Sequence, residues 1–142
     1  MSREDQKFKA SVLTIQGRVV TGVGEGKLFL CEPHYCSQIE KLFGFRPFPG
    51  TLNLRLSPED HGRVLEFTRP GLKVLLGRDL SSEDKKLFSV GAHPCEFLGV
   101  EAVLLFPEKT RHRDVVELAA PVSFRETKDV KDGDFLEVVI GF

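Results

Sequence analysis

Two clusters in this chain have residue types and spacings suited to chemistry on a phosphorylated ligand. The first is Gly22-Val23-Gly24-Glu25-Gly26-Lys27, in which glycines at alternate positions lead into a lysine. Glycine tolerates positive φ, so successive backbone amides can converge on an anion, and Lys27 adds a point charge. The second is Pro49-Gly50-Thr51-Leu52-Asn53, which sets a hydroxyl and a carboxamide two positions apart. In a strand such residues share a face with Cα atoms roughly 7 Å apart, close enough for both oxygens to reach one cation. Mg²⁺ favours oxygen ligands and keeps waters and substrate phosphates in its shell, so two neutral side chains hold it weakly until a nucleotide delivers it. A nucleotide and a metal are the expectation.

Each motif also has a plainer meaning. The glycine cluster fits neither common phosphate fingerprint: Walker A needs glycine at 21, where Thr21 stands, and the dinucleotide pattern needs it at 27. A hairpin turn would demand the same glycines on backbone grounds alone. Thr51 and Asn53 equally suit the solvent side of a half-buried strand. Glu117 interrupts the apolar run from Val115 to Ala120, where a charge is expensive unless paired or solvated. It is either a carboxylate that orients or deprotonates a substrate hydroxyl, or an outward-pointing strand residue. Cys31, His34 and Cys36 lie close together, but no second ligand pair stands nearby, which argues against zinc. His112, between Arg111 and Arg113, reads as a phosphate contact or as part of a solvated loop, and His61 and His93 have no evident partner.

Positioning these groups falls to short elements. The interleaved apolar residues Val12, Leu13, Ile15, Val19 and Val20 predict a strand that ends at the glycine cluster and resumes over 28–31. Pro33 opens a helix in which Tyr35, Ile39, Leu42 and Phe43 recur at helical offsets, with Gly44 as its stop. Strict alternation over 51–56 puts leucines on one face and Thr51, Asn53 and Arg55 on the other. Ser57-Pro58 with Asp60 resembles a helix start, against which Gly62 counts. Further strands are predicted over 72–76, 95–106, 115–120 and 135–140. Short strands at irregular spacing with one or two brief helices favour a mainly β protein, a small closed barrel, over an alternating βαβ sheet. The segments 81–86 and 107–114 are the expected excursions from it.

Composition narrows the classes further. The 142 residues suit one domain, and 20 basic against 21 acidic side chains leave no surplus to drive nucleic-acid binding, so any anion site must be local. Three cysteines without a CxxC spacing fit a reducing compartment. The charged start, 1–9, lacks the apolar centre of a signal peptide, and no run approaches the roughly 18 apolar residues of a membrane span. A soluble, cytoplasmic monomer is expected, with small-molecule partners and neither nucleic acid nor membrane.

Taken in order, Val20-Thr21-Gly22-Val23-Gly24-Glu25-Gly26, the block from Leu42 through Pro49-Gly50-Thr51-Leu52-Asn53, Phe106 to His112, Val116-Glu117-Leu118-Ala119-Ala120-Pro121, Arg125 and Asp132-Gly133-Asp134 closely resemble the archaeal CTP-dependent riboflavin kinases. The likeness covers nearly the whole chain. It implies a six-stranded cradle-loop (RIFT-related) barrel that transfers the γ-phosphate of CTP to riboflavin, giving FMN. It further implies that Gly22, Val23, Gly24, Glu25, Gly26 and Lys27, with Val122, Ser123, Phe124 and Arg125, bind the cytidine nucleotide. Thr51 and Asn53 become the Mg²⁺ ligands, and Thr110 and Glu117 flavin contacts. Residues 1–142 then read as the kinase domain alone, without the N-terminal winged helix some members carry. The competing readings are a non-catalytic flavin- or nucleotide-binding barrel and a DNA-binding barrel of the transcription-factor type.

Overall fold

The computed structural model describes residues 12–21, 33–75, 78–79, 86–87, 90–107 and 114–141. Along the chain run β1 (Val12–Val20), α1 (Pro33–Phe43), β2 (Leu52–Arg55), α2 (Pro58–Thr68), a 3₁₀ turn (Arg69–Gly71), β3 (Lys73–Leu75), β4 (Arg78–Asp79), β5 (Lys86–Leu87), β6 (Val90–Phe97), β7 (Val100–Pro107), β8 (Val115–Ala119), α3 (Phe124–Thr127) and β9 (Phe135–Gly141). Six of the strands, in the order β6-β7-β8-β2-β1-β9, form an antiparallel sheet that closes when β9 pairs back onto β6 through Glu96↔Val139 and Phe97↔Val138. The expected small β-barrel is therefore the observed architecture. β3 extends the sheet from β6, and β4 with β5 makes a separate two-stranded ribbon.

Period-two alternation sorts the side chains into two cores. Ile15 and Val19 of β1, Leu52 and Leu54 of β2, Ala102, Leu104 and Phe106 of β7, and Val138 and Ile140 of β9 fill the barrel interior. The intervening β7 residues Val103 and Leu105 point the other way, into a second core with Tyr35 and Ile39 of α1. Because α1 covers this outer face, β7 is apolar on both sides and its sequence shows no alternation. α1 itself keeps the predicted bounds, since Tyr35 and Ile39, four residues apart, are both buried on its inner side.

α2 forms in full despite Gly62. The Ser57 Oγ accepts the Asp60 N–H at 3.1 Å and proline occupies the first turn, so a cap worth about 1 kcal/mol offsets a glycine cost of similar size. His61, which has no partner in the local sequence, is buried on α2 with its Nδ1 3.3 Å from the Asp114 carboxylate. The Leu56 N–H donates to the Asp114 carbonyl at 2.8 Å, so these contacts fasten the start of β8 to α2. Among the described residues α3 is a third helix, which the sequence reading did not include.

One expected strand is corrected. Residues 95–106 are not a single strand but the two arms of a hairpin, with Phe97↔Val100 closing a two-residue turn. Both turn residues have positive φ, +52° at Leu98 and +78° at Gly99, the combination of a type I′ turn. Such turns usually announce themselves as Asn-Gly or Asp-Gly. Here an apolar leucine takes the left-handed position and hides the reversal. The strand predicted over 28–31 lies outside the described residues.

Inside the barrel, burial pushes the Cys95 thiol up to about 12. The thiolate is the reactive form, so Cys95 should resist iodoacetamide at pH 8 in the native protein and react once the chain is unfolded. Peptide mapping by mass spectrometry checks this, and rapid native labelling of Cys95 would contradict it.

Candidate active site

The loop leading into β2 is fixed by its backbone. Pro47 is buried, the Phe48 N–H donates to the Ala120 carbonyl at 2.7 Å, and Gly50 adopts φ +111°, a conformation in which a side chain is strained. The Pro-Gly of the motif thus aims the chain into β2. Leu52 and Leu54 enter the barrel, which turns Thr51, Asn53 and Arg55 outward. On β8 the same alternation sends Val116 and Leu118 inward and Glu117 outward. The ladder places Asn53 directly opposite Glu117 and opposite Val20 on the other side.

The outward direction does not leave Glu117 in water, because it is only 9% exposed. A carboxylate so placed needs donors, and the Thr51 Oγ donates to Glu117 Oε1 at 3.0 Å. A hydroxyl, a carboxamide and a carboxylate from two adjacent strands therefore share one patch of the outer wall. With its hydrogen engaged by Glu117, the Thr51 oxygen has only lone pairs to offer a further partner. With the Asn53 oxygen this is a set of hard donors, which fits Mg²⁺ and not a soft metal. Among the described residues no three His, Cys, Asp or Glu side chains gather to hold a metal ion. His34 and Cys36 lie on α1, and Cys31 lies outside the described residues.

Beside this patch is a cavity of about 170 Å³. One wall is the motif itself, Phe48 to Leu52, and the other is Val122, Ser123, Phe124 and Arg125. Two sequence-predicted segments that are 70 residues apart in the chain thus face each other. The second is held by local chemistry: Ser123 accepts the Glu126 N–H at 3.4 Å and caps α3, while the Phe124 ring plugs the barrel edge-on to Phe97 at 4.9 Å between centroids. A larger cavity of about 490 Å³, lined by Phe43, Phe45, Lys73 and His93, lies on the side of the barrel near the end of α1 and contains none of the predicted site residues.

Charged groups complete the surroundings. Arg125 donates to Asp132 Oδ1 at 2.6 Å, and the Thr21 hydroxyl donates to Asp132 Oδ2. The Thr21 hydrogen bond, then the hydrogen bond and charge of Arg125, hold the Asp132 carboxyl below its usual range. Arg18 and Arg55, both exposed, sit directly opposite each other two residues along the strands from the Val20–Asn53 pair. The local positive charge that net composition does not reveal therefore exists on this wall. Arg18 and Asp132 are not among the candidate site residues that the sequence singles out. The alternation that placed Arg55 beside Asn53 was legible, but the facing of Arg18 depends on the β1–β2 register. Gly22 to Lys27, Thr110 and His112 lie outside the described residues.

The fold is a closed six-stranded antiparallel barrel, with an oxygen-rich patch on its outer wall beside a small cavity. The family model CTP-dep_RFKase, described as a domain of unknown function, DUF120, matches residues 19–140. The chain belongs to this family. It is similar to the riboflavin kinase of Ignicoccus hospitalis, 36% identical over 95% of this chain and 75% of that protein. It is similar also to the riboflavin kinases of Pyrobaculum aerophilum, 36% identical over 94% of this chain and 63% of that protein, and of Saccharolobus solfataricus, 34% identical over 98% and 80%.

Proposed function

We propose that this protein is a CTP-dependent riboflavin kinase, which transfers the γ-phosphate of CTP to the ribityl 5′-hydroxyl of riboflavin and releases FMN and CDP. The observation that carries the reading is the Thr51–Asn53–Glu117 patch beside the cavity shared with Val122–Arg125, in a chain of this family. Phosphoryl transfer asks mainly for alignment and charge neutralisation, which a few oxygen and cationic groups on a rigid wall can supply.

In this reading the nucleotide enters from the end of the barrel at which β2 begins. The cavity is smaller than the ~300–1,000 Å³ of a drug-sized pocket, which suits one portion of a nucleotide better than the whole. Backbone groups of 122–125 read the cytosine edge, and the amides of Gly22 to Lys27 cradle the phosphates. Thr51 and Asn53 would hold Mg²⁺, which would supply charge neutralisation for the donor phosphates. Glu117, with Thr110, contacts riboflavin: its carboxylate accepts a hydrogen bond from the 5′-hydroxyl and takes the proton as the new O–P bond forms and the bond to CDP breaks. Thr51 keeps that carboxylate oriented.

Incubation with riboflavin, CTP and MgCl₂, with FMN measured chromatographically, tests the activity. A parallel panel of ATP, GTP and UTP tests the donor. FMN should appear, and fastest with CTP. Its absence with every donor would remove the kinase reading, and faster turnover with ATP would remove the donor assignment alone.

A further inference from the structure

We propose that Asp132 is a positioning residue for the phosphate donor, a clip that sets the separation between the residue leading into the glycine cluster and the 122–125 segment. This rests on the nucleotide reading given above. One carboxylate serves two partners from distant parts of the chain: Oδ2 accepts from Thr21, the residue immediately before Gly22, and Oδ1 accepts from Arg125.

The clip is mounted rigidly. Asp132 lies in the turn before β9, where the Gly133 N–H donates to the Val19 carbonyl and the Val19 N–H donates to the Asp134 carbonyl, both at 2.8 Å. The Asp134 carboxylate also accepts the Lys131 N–H at 2.8 Å. These bonds continue the β1–β9 ladder beyond Arg18↔Phe135, so the carboxylate is referenced to the barrel itself. At its other end Arg125 is the neighbour of Phe124, which is buried in the barrel core.

Exposure argues that the network serves the ligand more than the fold. The Arg125 and Asp132 side chains are 44% and 51% exposed, and ion pairs in such settings contribute little to stability. What the contact does accomplish is to restrict a long guanidinium. Arg125 has five N–H donors and lines the cavity, so fixing one on Asp132 leaves the others oriented before a ligand arrives.

Steady-state kinetics and CDP titration on the full chain test the proposal. Asp132→Ala should raise KM for CTP and Kd for CDP by about 10-fold, leaving KM for riboflavin and kcat at saturating CTP within about twofold. Asp132→Asn, which keeps an acceptor oxygen for Thr21, should fall between, and it carries the comparison if the alanine variant does not fold. Thr21→Val should raise KM for CTP alone but add nothing in combination with Asp132→Ala, because both break the same contact. Lys131→Ala, on the same turn with its side chain in solvent, serves as control. Unchanged CTP and CDP affinities in folded Asp132 variants would overturn the clip and leave the kinase standing. Equal losses for riboflavin and CTP would also overturn it, by marking a general structural role. Failure of the unaltered protein to bind CDP would overturn the nucleotide reading and the clip together.

Discussion

Replacing Asn53 by alanine should lower kcat on the order of 100-fold or more while the barrel stays folded. The two halves of that expectation come from opposite faces of β2. Leu52 and Leu54, inside the barrel, carry the strand's contribution to the core, and neither is touched. Asn53 faces outward, partly exposed, so its removal costs little packing and opens no interior cavity. What it removes is one of two protein oxygens proposed to hold the cation that neutralises phosphate charge, and such electrostatic contributions to phosphoryl transfer are large. Turnover measured against MgCl₂ concentration should show a much weaker dependence than the parent protein. Circular dichroism and the melting temperature should be nearly unchanged. Parental turnover in a folded Asn53→Ala variant would remove the metal assignment.

Glu117→Gln should have an effect of comparable size for a different reason. Glutamine keeps the length and planar shape of glutamate and can still accept the Thr51 hydrogen bond, so the wall should remain intact. It cannot take a proton from the ribityl hydroxyl, and loss of a general base typically costs about 10²–10⁴-fold. kcat should therefore fall by at least about 100-fold, with KM for riboflavin much less affected. Circular dichroism should show the barrel still folded, because the isostere keeps the shape of the side chain and the acceptor for Thr51. If Glu117→Gln retains most of its turnover, the residue orients the hydroxyl without accepting its proton. Glu117→Ala then separates the roles further, since it also leaves the Thr51 hydroxyl without the acceptor it has here.

Legibility varied with how local the controlling interaction was. β2 and α1 were readable because their periods are strict and their boundaries carry Pro-Gly and Pro33 with Gly44. α2 was readable at its capped start, and the burial of His61, Val64 and Thr68, which adds to what the cap supplies against Gly62, was not. The β6–β7 hairpin was not readable. Leu98 accepts positive φ only because the eight cross-strand pairs between β6 and β7 hold the turn closed, and nothing in the letters Phe97-Leu98-Gly99-Val100 reports those pairs. β7 was equally opaque as to facing, since its outer side is buried by a helix more than 50 residues earlier in the chain.

For the candidate site, sequence alone determined which residues on β2 share a face. Alternation and the leucines settle that Thr51, Asn53 and Arg55 point together, and the ordered motifs indicate the family. Whether Glu117 pointed at solvent or at chemistry was beyond reach, because both readings predict the same outward residue. Only the β2–β8 register, which brings Asn53 opposite Glu117 and the Thr51 hydroxyl within 3.0 Å of its carboxylate, decided that it belongs to the patch. Tertiary structure likewise brought Arg125, Asp132 and Thr21 together from separate segments. The physical reason is that side-chain direction follows from the backbone geometry of one strand, whereas neighbours across a barrel are set by closure of the whole sheet, a property no single segment carries.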